Sequence, residues 1–212
     1  MCDQMKKEYF AIAEHYRRCF EKFGDNHKGV DWPNLEDAKK RYSVMLSVVP
    51  DDLHVKVLDF GSGLGHFLEY IMDRGYTNID YTGLEINQES VEACLKKFPE
   101  HKFLCGDILG ESPVELEEKY DFVIINGVFT VKRDLSFEEM WSFVQSCIST
   151  LWQYTHNQMI FNVMSSHVDW EREDLFHLPI DLLADFLCEN ISRDFVIRND
   201  YQLYEYATII YK

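Results

Sequence analysis

The sequence lacks a long apolar run, a cysteine cluster and an excess of positive charge. No window approaches the roughly 20 uncharged apolar residues of a membrane span, and the first ten residues lack the apolar core of a secretory signal. The six cysteines lie far apart, with no Cys-x-x-Cys and no Cys/His cluster at zinc spacing, so we predict reduced thiols and no metal site. Together these absences predict a cytoplasmic protein without a membrane partner.

Positive charge is scarce, with 21 Lys and Arg against 37 Asp and Glu, a net charge of −16 over 212 residues. Nucleic-acid binding depends largely on Lys and Arg contacts to phosphates, so we expect no nucleic-acid partner. The 46% of hydrophobic residues is too high for a disordered chain. The length and composition predict one soluble globular domain over residues 1–212.

The most informative stretch is 56–67, Lys-Val-Leu-Asp-Phe-Gly-Ser-Gly-Leu-Gly-His-Phe. A short apolar run ends in Asp59, and glycines follow at positions 61, 63 and 65 before a helix-like pattern begins. Glycine has no Cβ, so its backbone can adopt positive φ and approach a ligand closely. This pattern predicts a strand that turns into a helix beneath a nucleoside ligand.

The first fifty residues precede the first strand and predict a helical cap. Residues 5–23 and 35–48 carry apolar side chains at helical spacing, and Asn34 is the expected N-cap of the second helix. The cap can be a lid over the ligand site or a helical pair that covers one edge of the sheet, and the sequence leaves both alternatives open.

From residue 56 to residue 212 the chain alternates between strand-like and helix-like segments, which is typical of a Rossmann-like α/β core. Strand-like runs end at Phe60, Leu84, Cys105, Asn126 and Met164, and helix-like stretches cover 66–74, 87–98, 112–118, 136–155 and 179–190. The strand-like runs 193–198 and 203–211 leave no room for a helix between them, so they predict a hairpin. We therefore expect a mostly parallel sheet with an antiparallel last strand and helices on both faces.

Polar residues at the ends of these strands are the candidate ligand contacts, because an open parallel sheet binds ligands beyond the carboxyl ends of its strands. Glu85 lies about 20 residues past the glycines, where a carboxylate can accept both ribose hydroxyls. Asp107 is placed to accept from the exocyclic amine of an adenine, with Ile108 against the ring, and Asn126 should lie near the reacting end of the ligand.

Two nucleotide cofactors compete for this pattern. A dinucleotide site requires Gly-x-Gly-x-x-Gly, whereas this chain has Gly-x-Gly-x-Gly with His66 at the place of the third dinucleotide glycine. Asp59 would repel a pyrophosphate, but its carboxylate suits the ammonium of a methionine moiety. These features favour S-adenosylmethionine over NAD and disfavour a nicotinamide-dependent oxidoreductase.

These residues resemble those of class I S-adenosylmethionine-dependent methyltransferases, whose fold is a seven-stranded sheet with an antiparallel last strand. Segments such as Asn126-Gly127-Val128-Phe129 and Phe161-Asn162-Val163-Met164 are similar to a group of small bacterial methyltransferases often thought to act on saccharides or other small molecules, although that group tends to have Ser-Gly at 126–127. The resemblance implies the cofactor-binding residues Asp59, Gly61, Ser62, Gly63, Gly65, Glu85, Ile86, Asp107, Ile108, Asn126 and Phe129.

The expected activity is methyl transfer to an oxygen or nitrogen of a small soluble acceptor, such as a sugar or a small acid. The alternatives are a methyltransferase-like binding protein without activity and a methyltransferase with a protein acceptor. A general base is needed only for an unactivated hydroxyl acceptor. The polar-aromatic segment 165–177 is the expected acceptor loop, and it supplies His167 as the candidate base. The alternative for His167 is an ordinary surface histidine. Trp32, His167 and Trp170 are the candidate substrate contacts.

Overall fold

The structure is a computed structural model that describes the backbone of residues 2–212 and the side chains of residues 9–212. Its helices are α1 Cys2–Phe23, α2 Leu35–Leu46, α3 His66–Asp73, α4 Gln88–Lys97, α5 Phe137–Tyr154 and α6 Ile180–Asn190. Its strands are β1 Val55–Phe60, β2 Ile79–Glu85, β3 Lys102–Cys105, β4 Tyr120–Phe129, β5 Thr155–Ser165, β6 His177–Leu178, β7 Phe195–Arg198 and β8 Glu205–Tyr211.

The strands form one sheet in the order β3-β2-β1-β4-β5-β8-β7, and the two-residue β6 pairs with β5. Strands β1 to β5 are parallel, whereas β8 is antiparallel to both β5 and β7. The predicted α/β fold with an antiparallel last strand is confirmed. The strand order reverses between β1 and β4, and this is where an open α/β sheet binds its ligands.

Alternating side chains along the strands cover the two faces of the sheet. Val57 and Ile124 pack with α2 and α3 on one face, whereas Leu58 and Val123 pack with α5 and α6 on the other. Because side chains of a strand point alternately to opposite faces, a continuous apolar run is what a strand buried on both faces requires. The predicted helices on both faces are confirmed.

The helix predicted at 112–118 is wrong, because this segment is irregular. Its conformation follows from contacts with the end of β3: the Val114 amide donates to the Asp107 carbonyl at 3.0 Å. The Val114 side chain lies against Gly106, where an added Cβ would be 2.1 Å from it. These tertiary contacts replace the local helical pattern.

The two helices of the N-terminal cap pack against different parts of the core. Helix α1 contacts α4 and α5, and α2 contacts α3 and β4. Asn34 caps α2 as predicted, since its side chain accepts from the Glu36 and Asp37 amides at 2.8 and 3.4 Å. Tyr42 and Met45 of α2 belong to a sheet-face core, and Tyr42 also lines a cavity together with Ile12 and Tyr16 of α1.

The cysteines with described side chains, Cys19, Cys94, Cys105, Cys147 and Cys188, are free thiols, and Cys2 lies outside the described side chains. Within residues 2–212, no helix has both the length and the apolar character that crossing a membrane requires.

Candidate active site

A deep cavity lies where the strand order reverses, between the carboxyl ends of the strands and the cap. It holds about 1170 Å³ of empty space, counting its mouth, which is ample for a nucleoside-sized ligand. Most of the predicted ligand contacts meet here. The predicted residues that line the cavity are Asp59, Gly61, Ser62, Gly63, Glu85, Ile86, Asp107, Ile108, Asn126 and Trp32.

The glycine turn after β1 forms the cavity floor. Gly61 and Gly63 have φ of +75° and +52°, values that favour glycine. An added Cβ on Gly61 would lie 2.3 Å from Val128, and one on Gly63 would lie 3.2 Å from Val30. The Ser62 hydroxyl is buried and has no hydrogen-bond partner among the described residues. The turn therefore offers one unsatisfied polar group to a ligand.

Glu85 closes this turn from the end of β2. One carboxylate oxygen accepts from the Gly63 amide at 2.9 Å, and the other accepts from the Ile86 and Asn87 amides at 2.8 and 2.9 Å. Burial raises the pKa of Glu85, and the three amides oppose that shift. Glu85 thus fixes the cavity floor and presents a buried carboxylate at its edge.

Asp59 is the most deeply buried acid of the cavity, with 2% of its surface exposed. Burial raises its pKa to about 7; the Tyr81 hydroxyl, which donates to Asp59 at 2.6 Å, lowers the pKa, and the nearby Glu85 charge raises it. An unpaired charge at this depth is unfavourable, so a cationic ligand group beside Asp59 would be strongly stabilised.

Asp107 carries the third carboxylate of the cavity, at the end of β3. It accepts from the Leu109 amide at 2.8 Å and from the Tyr9 hydroxyl of α1. The Tyr9 ring stacks on Phe143 with centroids 5.1 Å apart, and both rings line the cavity. A helix of the cap thereby contacts the same acid that the sequence assigned to a ligand.

The end of β4 joins the cavity to the cap through Trp32. Gly127 has φ +83°, and an added Cβ there would lie 2.7 Å from the Trp32 ring. The Arg41 guanidinium lies over the Trp32 ring at 4.2 Å from its centroid. Trp32 is therefore clamped as a wall of the cavity, and the Asn126 carboxamide oxygen beside it is buried without a described partner.

Arg41 is held in turn by a buried ion pair with Glu205 of β8. The Arg41 Nε donates to Glu205 at 2.9 Å, and Glu205 is 1% exposed. Burial raises the pKa of Glu205, and the Arg41 charge opposes that shift. The neighbouring Asn162 accepts from the Gly127 amide at 2.8 Å. Helix α2, β8 and the β4 end are thus tied together around Trp32.

Four predicted contacts do not line the cavity. Gly65 is the N-cap of α3 with φ +72°. An added Cβ there would lie 2.7 Å from the ring of Phe98, the C-cap of α4. Phe129 is fully buried against Phe161, so Val128 lines the cavity in its place. The other two contacts are on the loop after β5.

His167 and Trp170 are exposed on that loop. Trp170 lies beside Tyr204, whose hydroxyl donates to Asp169 at 2.6 Å. The roles of His167 as a base and of both residues as substrate contacts stay predictions, and the cavity lining gives them no support.

His66 is the histidine that lines the cavity. Its Nε2 is 2.7 Å from an oxygen of Asp25, which also pairs with Lys97 at 3.0 Å. This contact joins the cap loop to α3 and α4.

Apart from Trp32, sequence reasoning missed the cavity residues of the cap, which are Tyr9, Ile12, Ala13, Tyr16, Gly29, Val30 and Tyr42. The apolar stripe of α1 was the available signal, but a helical stripe shows which face is buried and not what covers it.

Comparison with known proteins gives one family and several relatives. Residues 51–195 match a family model described as a methyltransferase domain. The Mycobacterium tuberculosis protein Rv1506c, which carries a provisional methyltransferase name, is 25% identical over 159 residues, covering 73% of this chain and 91% of that protein.

Solved structures of methyltransferases share the fold. Magnesium protoporphyrin IX methyltransferase from Synechocystis, solved with bound S-adenosylhomocysteine (SAH), aligns with a TM-score of 0.63 and 16% identity over 100% of both chains. The plantazolicin methyltransferase BpumL, solved with a pentazolic desmethylplantazolicin analogue and SAH, gives 0.62 and 17% over 100% of this chain and 99% of that one.

Proposed function

This chain belongs to the methyltransferase-domain family, and from that premise we propose that it transfers a methyl group from S-adenosylmethionine to a nitrogen or oxygen of a small soluble acceptor. The family match confirms the resemblance to methyltransferases that the glycine turn and the strand-end acids indicated. The observation that carries the proposal is the meeting of three strand-end carboxylates, Asp59, Glu85 and Asp107, in one cavity.

The residues present fit the cofactor. Asp59 would pair with the ammonium of the methionine moiety, Glu85 would accept from the ribose hydroxyls, and Asp107 would accept from the adenine amine. Ser62 has an unsatisfied hydroxyl at the glycine turn, and the turn lets the backbone approach the ligand closely. When bound, S-adenosylmethionine supplies a methyl group already activated by its sulfonium.

The chain has mainly to orient the acceptor and exclude water, since orientation alone lowers a barrier by several kcal/mol. The clamped Trp32 fixes the cavity wall beside the β4 end, and Ile12 and Tyr16 of α1 cover the cavity from the cap. The buried Asn126 carboxamide oxygen can accept one hydrogen bond from an acceptor N–H or O–H.

The charge of the cavity limits the class of acceptor. The described residues that line it include no Lys or Arg, so an anionic group buried there would lack a cationic partner. We therefore favour a neutral hydroxyl or amine over a carboxylate or phosphate as the methylated group. Of the earlier expectations, a sugar hydroxyl fits this lining better than a small acid.

The choice between nitrogen and oxygen depends on a base. A neutral amine needs none, whereas an unactivated hydroxyl does. His66 is better placed for that role than His167, because it lines the cavity and is paired with Asp25.

The first experiment is calorimetric titration of the protein with SAH, with NAD as the control ligand. We expect micromolar binding of SAH and none of NAD. Glu85→Gln should weaken SAH binding by about 1.5–3 kcal/mol, since it removes a charge-assisted acceptor. The exposed Glu100→Gln is the matched control and should leave binding unchanged. Binding of NAD but not SAH would overturn the proposal.

The second experiment measures SAH release from S-adenosylmethionine with sets of small amines, sugars and carboxylic acids. Turnover confined to the acids would contradict the acceptor class. With a hydroxyl acceptor, His66→Gln should reduce kcat, whereas with an amine it should not; His167→Ala is the comparison. If the protein binds SAH but shows turnover neither with these sets nor with protein extracts, a binding protein without activity is favoured. Turnover with protein extracts alone would favour a protein acceptor.

A further inference from the structure

Three side chains of metal-ligand type meet in the cap. They are His15 and Cys19, one turn apart on α1, and Asp31 in the loop before α2. The His15 Nε2 is 2.7 Å from an Asp31 oxygen and 3.7 Å from the Cys19 sulfur. All three ligand atoms lie within 4.8 Å of one another, and among residues with described side chains this group alone has that geometry.

We propose that His15, Cys19 and Asp31 bind a zinc ion that fastens α1 to the loop 24–34 of the cap. The spacing of Cys and His residues predicted no metal site. The third ligand, however, is an aspartate that the fold brings close from the loop. The site is separate from the cavity residues proposed to bind the cofactor.

The geometry suits tetrahedral zinc. With Zn–S of about 2.3 Å and Zn–N of about 2.0–2.1 Å, a tetrahedral ion separates its sulfur and nitrogen ligands by about 3.6 Å, close to the 3.7 Å between Cys19 and His15. Tetrahedral spacing requires the Asp31 oxygen to move about 0.7 Å farther from the His15 Nε2. The Asp31 side chain is 42% exposed, which leaves room for this movement.

The donor set selects the metal. One imidazole nitrogen, one thiolate and one carboxylate suit zinc or a similar borderline ion, whereas magnesium and calcium prefer oxygen ligands throughout. The thiolate and the carboxylate together balance the two positive charges of the ion. With three protein ligands, water would take the fourth position.

The position of the triad gives it a consequence for the cavity. Tyr16 lies on α1 between His15 and Cys19, and Val30 and Trp32 flank Asp31; all three of these neighbours line the cavity. An ion at the triad would therefore hold two parts of the same wall together. Because binding to an already ordered wall loses less conformational entropy, zinc and SAH should strengthen each other's binding. Only this coupling rests on the proposed function.

Cobalt is the probe for the site, because Co²⁺ adopts zinc geometry and is coloured. Co²⁺ titrated under reducing conditions into chelator-treated protein should saturate at one ion per chain and give a sulfur-to-cobalt charge-transfer band. Zn²⁺ should displace it. Absence of a saturating one-to-one spectrum would overturn the site and leave the triad as a hydrogen-bonded contact.

Variants test whether the triad supplies the ligands. Cys19→Ser and His15→Ala should abolish the charge-transfer spectrum, and the exposed Cys105→Ser should keep it. Cys19 is buried, so Asp31→Asn is the variant that preserves folding; Asp31 has φ +59°, which asparagine tolerates well. Asp31→Asn should weaken Co²⁺ binding at least tenfold. An unchanged spectrum in Cys19→Ser would overturn the assignment.

The coupling is measured as SAH affinity with saturating Zn²⁺ and with chelator. We expect the SAH affinity to be about fivefold higher with zinc than with chelator. This difference should vanish in Asp31→Asn. Equal affinities would overturn the fastening role. If SAH does not bind at all, the proposed function fails while the cobalt spectrum still tests the metal site.

Discussion

At the scale of single residues, the chemistry of the cavity is concentrated in a buried acid. Burial raises the pKa of Asp59 from its ordinary 3.8 to about 7. Between these two pH values the folded protein binds a proton that the unfolded chain has released. Asp59 therefore contributes stability at low pH that is lost as the pH rises toward 7. A ligand ammonium beside it would reverse that preference by favouring the carboxylate.

This reversal makes cofactor binding depend on pH. If SAH places its ammonium beside Asp59, binding releases a proton below pH 7, and affinity should rise about tenfold from pH 6 to pH 8. Calorimetry at both pH values, in buffers of different ionisation enthalpy, measures the affinity and the proton release. In Asp59→Asn the affinity should be lower and this pH step lost, while any contribution from Glu85 remains. A wild-type affinity that does not change with pH would refute the pairing.

Gly127 tests how firmly Trp32 is held. Gly127 and Gly75 have φ of +83° and +78°, so alanine at either position should lose about 1–2 kcal/mol of stability through backbone strain. An alanine Cβ at 127 would also meet the clamped Trp32 ring at 2.7 Å, whereas one at 75 has nothing within 4 Å.

Gly127→Ala should therefore destabilise the protein by about 1–3 kcal/mol more than Gly75→Ala, measured by urea unfolding. Gly127→Ala should also weaken SAH binding, and Gly75→Ala should not. Equal effects of the two substitutions would show that Trp32 moves away without penalty.

At the scale of elements, α2 is joined to β8 by the buried pair Arg41 and Glu205. Removing one partner of a buried pair leaves an uncompensated charge, so Arg41→Met should lower the free energy of unfolding by about 3–5 kcal/mol near neutral pH. The loss should be smaller at pH 5, because burial raises the pKa of Glu205 and favours its protonated form. The double variant Arg41→Met/Glu205→Gln should recover most of the loss.

Urea unfolding of both single variants and the double variant gives the coupling energy. The exposed pair Lys39 and Glu36 on the same helix is the control, and Lys39→Met should change stability by less than about 1 kcal/mol. A double variant as unstable as the sum of the single variants would show that the two residues stabilise the fold independently.

At the scale of the whole molecule, the net charge is −16. Its excess acidic side chains repel one another in the compact state and so lower stability. Salt screens this repulsion, since the Debye length falls from about 30 Å at 0.01 M to about 8 Å at 0.15 M. The urea concentration at the unfolding midpoint should therefore be higher in 150 mM NaCl than in 10 mM NaCl. KCl should have the same effect. A falling midpoint would mean that ion pairs, such as the one between Lys97 and Asp25, outweigh the net repulsion.

The sequence by itself determined the core of the fold and the ends of its strands. Apolar runs of strand length and the hairpin without room for a helix predicted a parallel sheet with an antiparallel end, and the structure confirms it. Because parallel strands end at one edge, sequence position alone was enough to bring Asp59, Glu85 and Asp107 into one cavity. These are local signals, each contained within one strand and the turn after it.

Only the tertiary structure decided which residues complete the site. Phe129 lies in the core and Val128 in the cavity, and His66 rather than His167 lines it. Trp32 becomes a wall through Arg41 and Gly127, and the triad of the cap needs Asp31 to reach α1. Each of these outcomes depends on packing between segments distant in the chain. Local periodicity shows that a face is buried, but the partner that buries it is chosen by the whole fold.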